Sequence, residues 1–130
     1  MRIINKMNNN NWHAEKWGDG HRIVFPNFHS GNRHVMLTSD IHYDSKEFDE
    51  SLFKAHLKKA VELNAPILIG GDTFDAMQGR NDNRRSHGAT RNELFGGAYF
   101  DKLVEYAVKL LEPAKHLIAG CNGKGCCDIL

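Results

Sequence analysis

Two short apolar runs, each followed by an aspartate, dominate the pattern of hydrophobic and polar positions. The first covers residues 35–39 and leads into Asp40, and the second covers residues 66–69 and leads through Gly70-Gly71 into Asp72. A short continuous apolar run bounded by turn signals is typical of a fully buried parallel strand. We therefore predict strands at 35–39 and 67–69, each with a carboxylate at its carboxyl end.

The segment between these strands has the spacing of an amphipathic helix. Apolar residues recur at helical intervals from near Asp49 to Leu63, at Leu52, Phe53, Leu57, Ala60 and Val61. Asn64 is a suitable C-terminal cap and Pro66 blocks continuation of the helix. Strand, helix and strand at this spacing form a βαβ unit, which predicts two parallel strands joined by a right-handed crossover.

The remaining segments carry weaker patterns. Residues 1 to about 20 are polar and are interpreted as a loosely docked arm, followed by a short strand at 23–25. A second helix is predicted from about Tyr99 to Glu112, with an apolar stripe formed by Phe100, Leu103, Val104, Ala107, Val108 and Leu111. A third strand is expected at 117–119, with residues 120–125 as a loop, whereas residues 76–98 show no periodicity.

Three side chains near the predicted strand ends suggest a metal site. Ligands of open α/β sheets bind at the carboxyl ends of the strands, where Asp40, His42 and Asp72 are expected to meet. Asp40 and His42 would lie on one side of an extended segment, because strand side chains alternate. Carboxylates with an imidazole suit a divalent transition metal, and a carboxylate such as that of Asp72 can bridge two ions.

Composition and charge narrow the class of protein. The chain has 130 residues, which indicates one domain, and its formal net charge of +1 gives no overall signature of nucleic-acid or membrane binding. No apolar run approaches the roughly 20 residues of a membrane span, and no secretory signal is recognisable, so a cytoplasmic protein is expected. The three cysteines, Cys121, Cys126 and Cys127, argue by their odd number against a disulfide framework.

The motif residues resemble a known family. Asp40-Ile41-His42 followed by Gly70-Gly71-Asp72 resembles the first two signatures of the calcineurin-like metallophosphoesterases, and the wider segment is similar to members often encoded by bacteriophages. The resemblance covers residues 34–119 and implies an α/β fold with βαβ units, the N-terminal half of a metallophosphoesterase β-sandwich flanked by helices. It implies that Asp40 and His42 bind one metal ion, that Asp72 bridges two, that the ions are Mn²⁺, Fe or Zn²⁺, and that a metal-activated water hydrolyses phosphate esters.

The third family signature differs in this chain. The family has Gly-Asn-His followed by Asp or Glu after its third strand, whereas this chain has Gly120-Cys121-Asn122-Gly123, so Asn122 is a candidate second-metal ligand and no histidine follows it. We therefore expect a polar arm with a short strand at 1–33, a partial family domain at 34–119 and a non-family tail at 120–130. We also expect the phosphoesterase activity to be impaired because second-metal ligands are missing, and no catalytic residue is assigned.

Several alternatives stay open. The polar stretch carries Arg80, Arg84, Arg85 and Arg91, which either bind a phosphate-ester substrate or nucleic-acid backbone or simply form a solvated basic loop. Asp44 and Asp75 either orient metal ligands or serve as turn or cap residues. The competing functions are a non-catalytic half-domain, which binds one metal or a partner that covers its open sheet, and a nucleic-acid-binding fragment.

Overall fold

A mixed α/β arrangement of two small sheets and two α-helices makes up the described part of the chain. The computed structural model describes residues 11–26, 30–74, 90–94 and 98–122, except the side chains of residues 121 and 122. In chain order the elements are β1 (His13–Trp17), β2 (Gly20–Val24), β3 (Met36–Ser39), α1 (Glu50–Glu62), β4 (Ile67–Gly70), α2 (Tyr99–Leu111) and β5 (Ile118–Asn122). Short 3₁₀ helices span Asn92–Leu94 and Glu112–Leu117.

The larger sheet has the order β3-β4-β5, and both of its strand pairs are parallel. This confirms the predicted βαβ unit of β3, α1 and β4. The expectation that β3 is fully buried is wrong, because β3 is an edge strand and Leu37 keeps 73% of its surface exposed. β4 occupies the centre of the sheet, and Ile67 and Ile69 are buried there.

Helix α1 has nearly the predicted bounds because its end signals are local. The Asp49 side chain caps the helix by accepting a hydrogen bond of 2.9 Å from the backbone N–H of Leu52. At the other end Asn64 takes a left-handed backbone conformation with a φ of 48°, and its N–H donates to the carbonyl of Val61. The buried face consists of Phe53, Leu57 and Ala60.

Helix α2 begins where predicted, and its buried face overlaps the predicted stripe only in part. Tyr99 and Leu110 are buried together with Leu103, Ala107 and Leu111, whereas Phe100, Val104 and Val108 from the predicted stripe are exposed. The buried hydroxyl of Tyr99 donates to the carboxylate of Asp44, which turns the Tyr99 side of the helix toward the core. Pro113 ends the α-helix, and the chain continues as a 3₁₀ helix.

An antiparallel hairpin of β1 and β2 replaces part of the expected polar arm. The hairpin contacts β5, where Gly120 leaves room for His21: a Cβ on Gly120 would lie 2.9 Å from Cγ of His21. β5 is also longer than predicted, because Cys121 and Asn122 belong to the strand rather than to a loop.

The core lies between the sheet and the two helices. Buried apolar residues from α1, β4 and α2 form one cluster with Ile41, Tyr43 and Leu117. Within the described ranges, no helix combines the length and the apolar character needed to cross a membrane.

Candidate metal centre at the carboxyl edge of the sheet

The three predicted ligands follow strands that end side by side. Ser39 pairs in register with Gly70, and Gly70 pairs with Asn122, so the carboxyl ends of all three strands form one edge. Two further hydrogen bonds continue this alignment beyond the strands. The backbone N–H of His42 donates to the carbonyl of Asp72 at 3.2 Å, and that of Tyr43 donates to the carbonyl of Thr73 at 3.0 Å. His42 and Asp72 are therefore neighbours through their backbones.

All three residues adopt the left-handed backbone conformation. The φ angles are 51° for Asp40, 48° for His42 and 42° for Asp72, and Gly71 has a φ of 35°. Aspartate and histidine tolerate this region better than most residues, but each such residue is strained relative to glycine. The prediction that Asp40 and His42 lie on one side of an extended segment is therefore wrong, since the chain leaves the strand conformation directly after Ser39.

The donor groups fit a divalent metal by chemistry and by position along the chain. Asp40 and Asp72 are exposed and His42 is half-buried at the same edge. The side chains are not gathered around one point: among the described residues, no three His, Cys, Asp or Glu side chains converge closely enough to hold an ion. One carboxylate oxygen of Asp40 instead accepts a hydrogen bond of 3.1 Å from the Ser39 hydroxyl. Binding by these residues therefore requires rotation of side chains, which exposed carboxylates can make.

Asn122 ends β5 directly opposite Gly70, which places its backbone at the same edge. Its side chain lies outside the described part of the structure. Arg80, Arg84, Arg85 and Asp75 also lie outside the described residues. All four belong to residues 75–89, which lie in the sequence between the described residues Phe74 and Thr90.

Described residues that flank the stretch 75–89 are bonded to the segment 42–45. Thr73 accepts from Tyr43 at one end, and Thr90 forms a β-bridge with Ser45 at the other. The backbone N–H of Arg91 also donates to the carbonyl of Asp44 at 2.9 Å. The described residues on either side of residues 75–89 therefore contact the segment that begins with His42.

Asp44 is almost completely buried, with 1% of its surface exposed. Its carboxylate accepts a hydrogen bond from the Tyr99 hydroxyl, and its carbonyl accepts from Arg91. A buried carboxyl group needs such donors, because its burial without hydrogen bonds would cost on the order of several kcal/mol. Asp44 therefore ties the segment after His42 to α2.

Arg91 is committed to internal contacts rather than to a phosphate. Its guanidinium donates to a carboxylate oxygen of Glu50 at 3.0 Å, to Glu93 at 2.7 Å and to the Tyr106 hydroxyl at 2.7 Å. It also lies over the Tyr106 ring, with 4.7 Å from Cζ to the ring centroid. The interpretation of Arg91 as a substrate-binding loop arginine is therefore not supported by its contacts.

These contacts shift the ionisation of the partners. Hydrogen bonds from Lys54, Tyr106 and Arg91 lower the pKa of Glu50 to about 2. Burial and the neighbouring Glu50 raise the pKa of Tyr106 to about 12, against the lowering effect of Arg91. Burial disfavours the charge on Arg91, but the hydrogen bonds with Tyr106 and Glu50 outweigh it and raise the pKa of the guanidinium. Across the ordinary pH range Glu50 and Arg91 are thus charged, whereas the Tyr106 hydroxyl is neutral and can donate to Glu50.

An aromatic cluster anchors the motif in the core. The ring of Tyr43, which follows His42, lies 5.3 Å from the ring of Phe48, 5.7 Å from Phe53 and 5.7 Å from Phe74, measured between centroids. Phe48 and Phe53 pack edge to face against Tyr43, which is favourable at these separations, and the Phe74 ring is tilted by 60°. Tyr43 is fully buried, and burial raises the pKa of its hydroxyl.

Comparison with known proteins found no matching family model, no matching curated protein and no matching solved structure. The candidate site is therefore defined by the chain's own residues.

Sequence reasoning did not identify Glu50, Tyr99 and Tyr106 as supports of the site. They lie on helices whose periodicity indicates only a buried face, and no local signal marks their hydrogen-bonding partners.

Proposed function

We propose that this chain is a metal-dependent phosphoesterase of the calcineurin-like type, with Asp40, His42 and Asp72 as its metal ligands. The observation that carries the proposal is the arrangement of these residues at one carboxyl edge, with the backbones of His42 and Asp72 hydrogen-bonded to each other. Three non-glycine residues in the left-handed region cluster at this edge, and such strain concentrates at functional sites.

A bound divalent ion would supply a Lewis acid and a water of lowered pKa for attack on phosphorus. The chain's residues would hold and orient this ion. Asp72 comes from the central strand, and its two oxygens can serve two ions, with Asn122 from the neighbouring strand as a ligand of the second. Only these two residues are proposed for the second ion, so we expect it to bind more weakly than the first.

We further propose that Arg80, Arg84 and Arg85 bind the phosphate ester or a nucleic-acid backbone. Arginine presents planar N–H donors that match phosphate oxygens. The bonds from Tyr43 to Thr73 and from Ser45 to Thr90, which flank the stretch 75–89, support a position within reach of the metal ligands.

The first experiment measures Mn²⁺ binding by titration calorimetry and hydrolysis of an aryl phosphate ester in the presence of Mn²⁺. We expect the wild-type chain to bind Mn²⁺ and the Asp72→Asn variant to lose at least ten-fold in affinity and in hydrolysis rate, because an amide is neutral and a poorer ligand. Asp72 is exposed and the variant is isosteric, so the fold should be retained.

The matched control is Asp19→Asn, which makes the same chemical change at an exposed aspartate in the turn between β1 and β2. This variant should bind Mn²⁺ and hydrolyse the ester like the wild type. Equal affinity and equal rates in the wild type and in Asp72→Asn would reject metal catalysis at this edge.

A second candidate function is that of a non-catalytic half-domain whose sheet is covered by a partner. The observation in its favour is the exposure of apolar side chains on and beside the edge strand, 73% for Leu37 and 41% for Val35. An uncovered edge strand with apolar side chains favours pairing with another chain.

A further inference from the structure

The segment 42–45, which begins with His42, is bonded to a second group of residues besides Asp72 and Thr73. Thr90 bridges Ser45, the backbone N–H of Arg91 donates to the carbonyl of Asp44, and the Tyr99 hydroxyl donates to the Asp44 carboxylate. We call the set of Thr90, Arg91 and Tyr99 the Arg91 clamp. Together with the bonds from His42 and Tyr43 to residues 72 and 73, these contacts engage each residue of the segment.

The contacts of the Arg91 clamp are shielded from water. Asp44 is 1% exposed, Thr90 is 5% exposed and Tyr99 is 8% exposed. Losing a hydrogen bond to a buried polar group costs more than losing an exposed one, because water does not replace the lost partner. Breaking the contacts of the Arg91 clamp is therefore energetically costly, as is expected of contacts that fix the backbone of the segment 42–45.

Both helices hold the Arg91 side chain in place. Glu50 of α1 and Tyr106 of α2 accept hydrogen bonds from its guanidinium, and Tyr106 also donates to Glu50 at 2.8 Å. Lys54 lies 2.6 Å from the other oxygen of Glu50. The guanidinium of Arg91 also donates a hydrogen bond to the carbonyl of Tyr43 at 3.5 Å. Movement of the segment 42–45 would thus disturb contacts with both helices.

We propose that Arg91 and Tyr99 are positioning residues of the candidate metal centre, an inference that rests on the proposed function. A histidine in the left-handed conformation persists only where the surroundings over-determine its backbone. The clamp supplies that constraint two residues after His42. Because groups that orient metal ligands typically change metal affinity 10–100-fold, loss of the clamp should weaken metal binding although neither residue touches the ion.

The test uses two variants without large changes of shape. Tyr99→Phe removes the hydroxyl that donates to Asp44, and Arg91→Met keeps the backbone N–H but removes the guanidinium bonds to Tyr43, Glu50 and Tyr106 that hold residue 91 in place. Amide hydrogen exchange is read at His42 and Tyr43 relative to Ile69 in the central strand, and Mn²⁺ affinity is measured by calorimetry. We expect exchange at His42 and Tyr43 to become roughly ten-fold faster relative to Ile69, and Mn²⁺ affinity to fall roughly ten-fold.

Leu110→Val is the control for a purely structural effect, since Leu110 is buried in α2 and its apolar side chain takes no part in the clamp hydrogen bonds. It should lower global stability while leaving the relative exchange of His42 and the Mn²⁺ affinity of the folded protein unchanged. The proposal is overturned if Tyr99→Phe and Arg91→Met keep the wild-type relative exchange or the wild-type Mn²⁺ affinity, or if Leu110→Val changes both measurements equally.

The two proposals fail in distinguishable ways. If Asp72→Asn abolishes Mn²⁺ binding while the clamp variants bind Mn²⁺ normally, the clamp proposal falls and the proposed function stands. If the wild type takes up no Mn²⁺, the proposed function falls together with the metal role of the clamp. Hydrogen exchange at His42 then still decides whether Arg91 and Tyr99 stabilise the backbone hydrogen bond from His42 to Asp72.

Discussion

At the scale of single residues, the candidate metal centre combines polar side chains with unfavourable backbone angles. Asp40, His42 and Asp72 have φ angles between 42° and 51°, where glycine would be the least strained residue. Asn64, with a φ of 48°, has an ordinary structural reason for this conformation, because it directly follows Leu63, the C-terminal cap of helix α1. The three residues at the sheet edge lack such a helix-capping reason, which favours a functional explanation for their side chains.

This strain can be measured at Asp40, whose side chain is exposed and bonded only to the neighbouring Ser39 among the contacts of the described residues. Asp40→Gly and Asp40→Ala both remove the carboxylate, but only glycine relieves the left-handed backbone. We expect Asp40→Gly to be more stable than Asp40→Ala by about 1 kcal/mol in urea unfolding. Both variants should lose Mn²⁺ binding, and equal stabilities would show that Asp40 carries no backbone strain.

At the scale of elements, the features that are set by local sequence signals could be predicted, whereas the features that are set by long-range packing could not. The cap at Asp49, the turn at Asn64 and the apolar spacing of α1 act within a few residues, so the βαβ unit and the shared edge of Asp40 and Asp72 could be predicted. The buried face of α2 includes Tyr99, whose hydroxyl is bonded to Asp44, and these two residues are 55 positions apart. The left-handed turns after β3 and the polar hairpin strand β1 likewise have no periodic pattern that would reveal them.

The edge strand β3 yields a prediction about association. Burial of a leucine side chain contributes about 1.5–3 kcal/mol, so an interface that includes Leu37 should weaken by roughly ten-fold or more in Leu37→Ser. We expect concentration-dependent self-association of the wild type in sedimentation velocity, reduced in this variant. Leu52→Ser is the control, since Leu52 is 53% exposed on α1. A wild type that stays monomeric at all concentrations, or equal effects of both substitutions, would contradict a role for the open edge.

At the scale of the whole molecule, one ionic cluster joins elements that are distant in sequence. Glu50 lies in the first turn of α1, Arg91 precedes the 3₁₀ helix at 92–94, and Tyr106 lies in α2. Their hydrogen bonds connect both helices to the segment that carries His42. Protonation of Glu50 would remove the charge that holds this cluster together, so the stability of the whole chain should depend on its ionisation.

The pKa of Glu50 is lowered from an ordinary value of 4.5 to about 2, chiefly by hydrogen bonds from Lys54, Tyr106 and Arg91. A carboxyl group with a lower pKa in the folded chain stabilises it above the unfolded pKa, and this contribution is lost as the pH falls from about 4.5 toward 2. Glu50→Gln should therefore lower the free energy of unfolding by roughly 1–2 kcal/mol at pH 7 and by much less near pH 2.

Urea unfolding of the wild type and of Glu50→Gln at pH 7, 5 and 3 measures this difference without interference from the other carboxyl groups, because both chains share them. The control is Glu112→Gln, whose exposed pair with Lys115 should contribute little at any pH. Because the clamp and the cluster share Arg91, the Mn²⁺ affinity of Glu50→Gln should also fall at pH 7. If the difference in unfolding free energy between the wild type and Glu50→Gln stays constant from pH 7 to pH 3, the charge on Glu50 does not stabilise the contacts between the helices and the segment that carries His42.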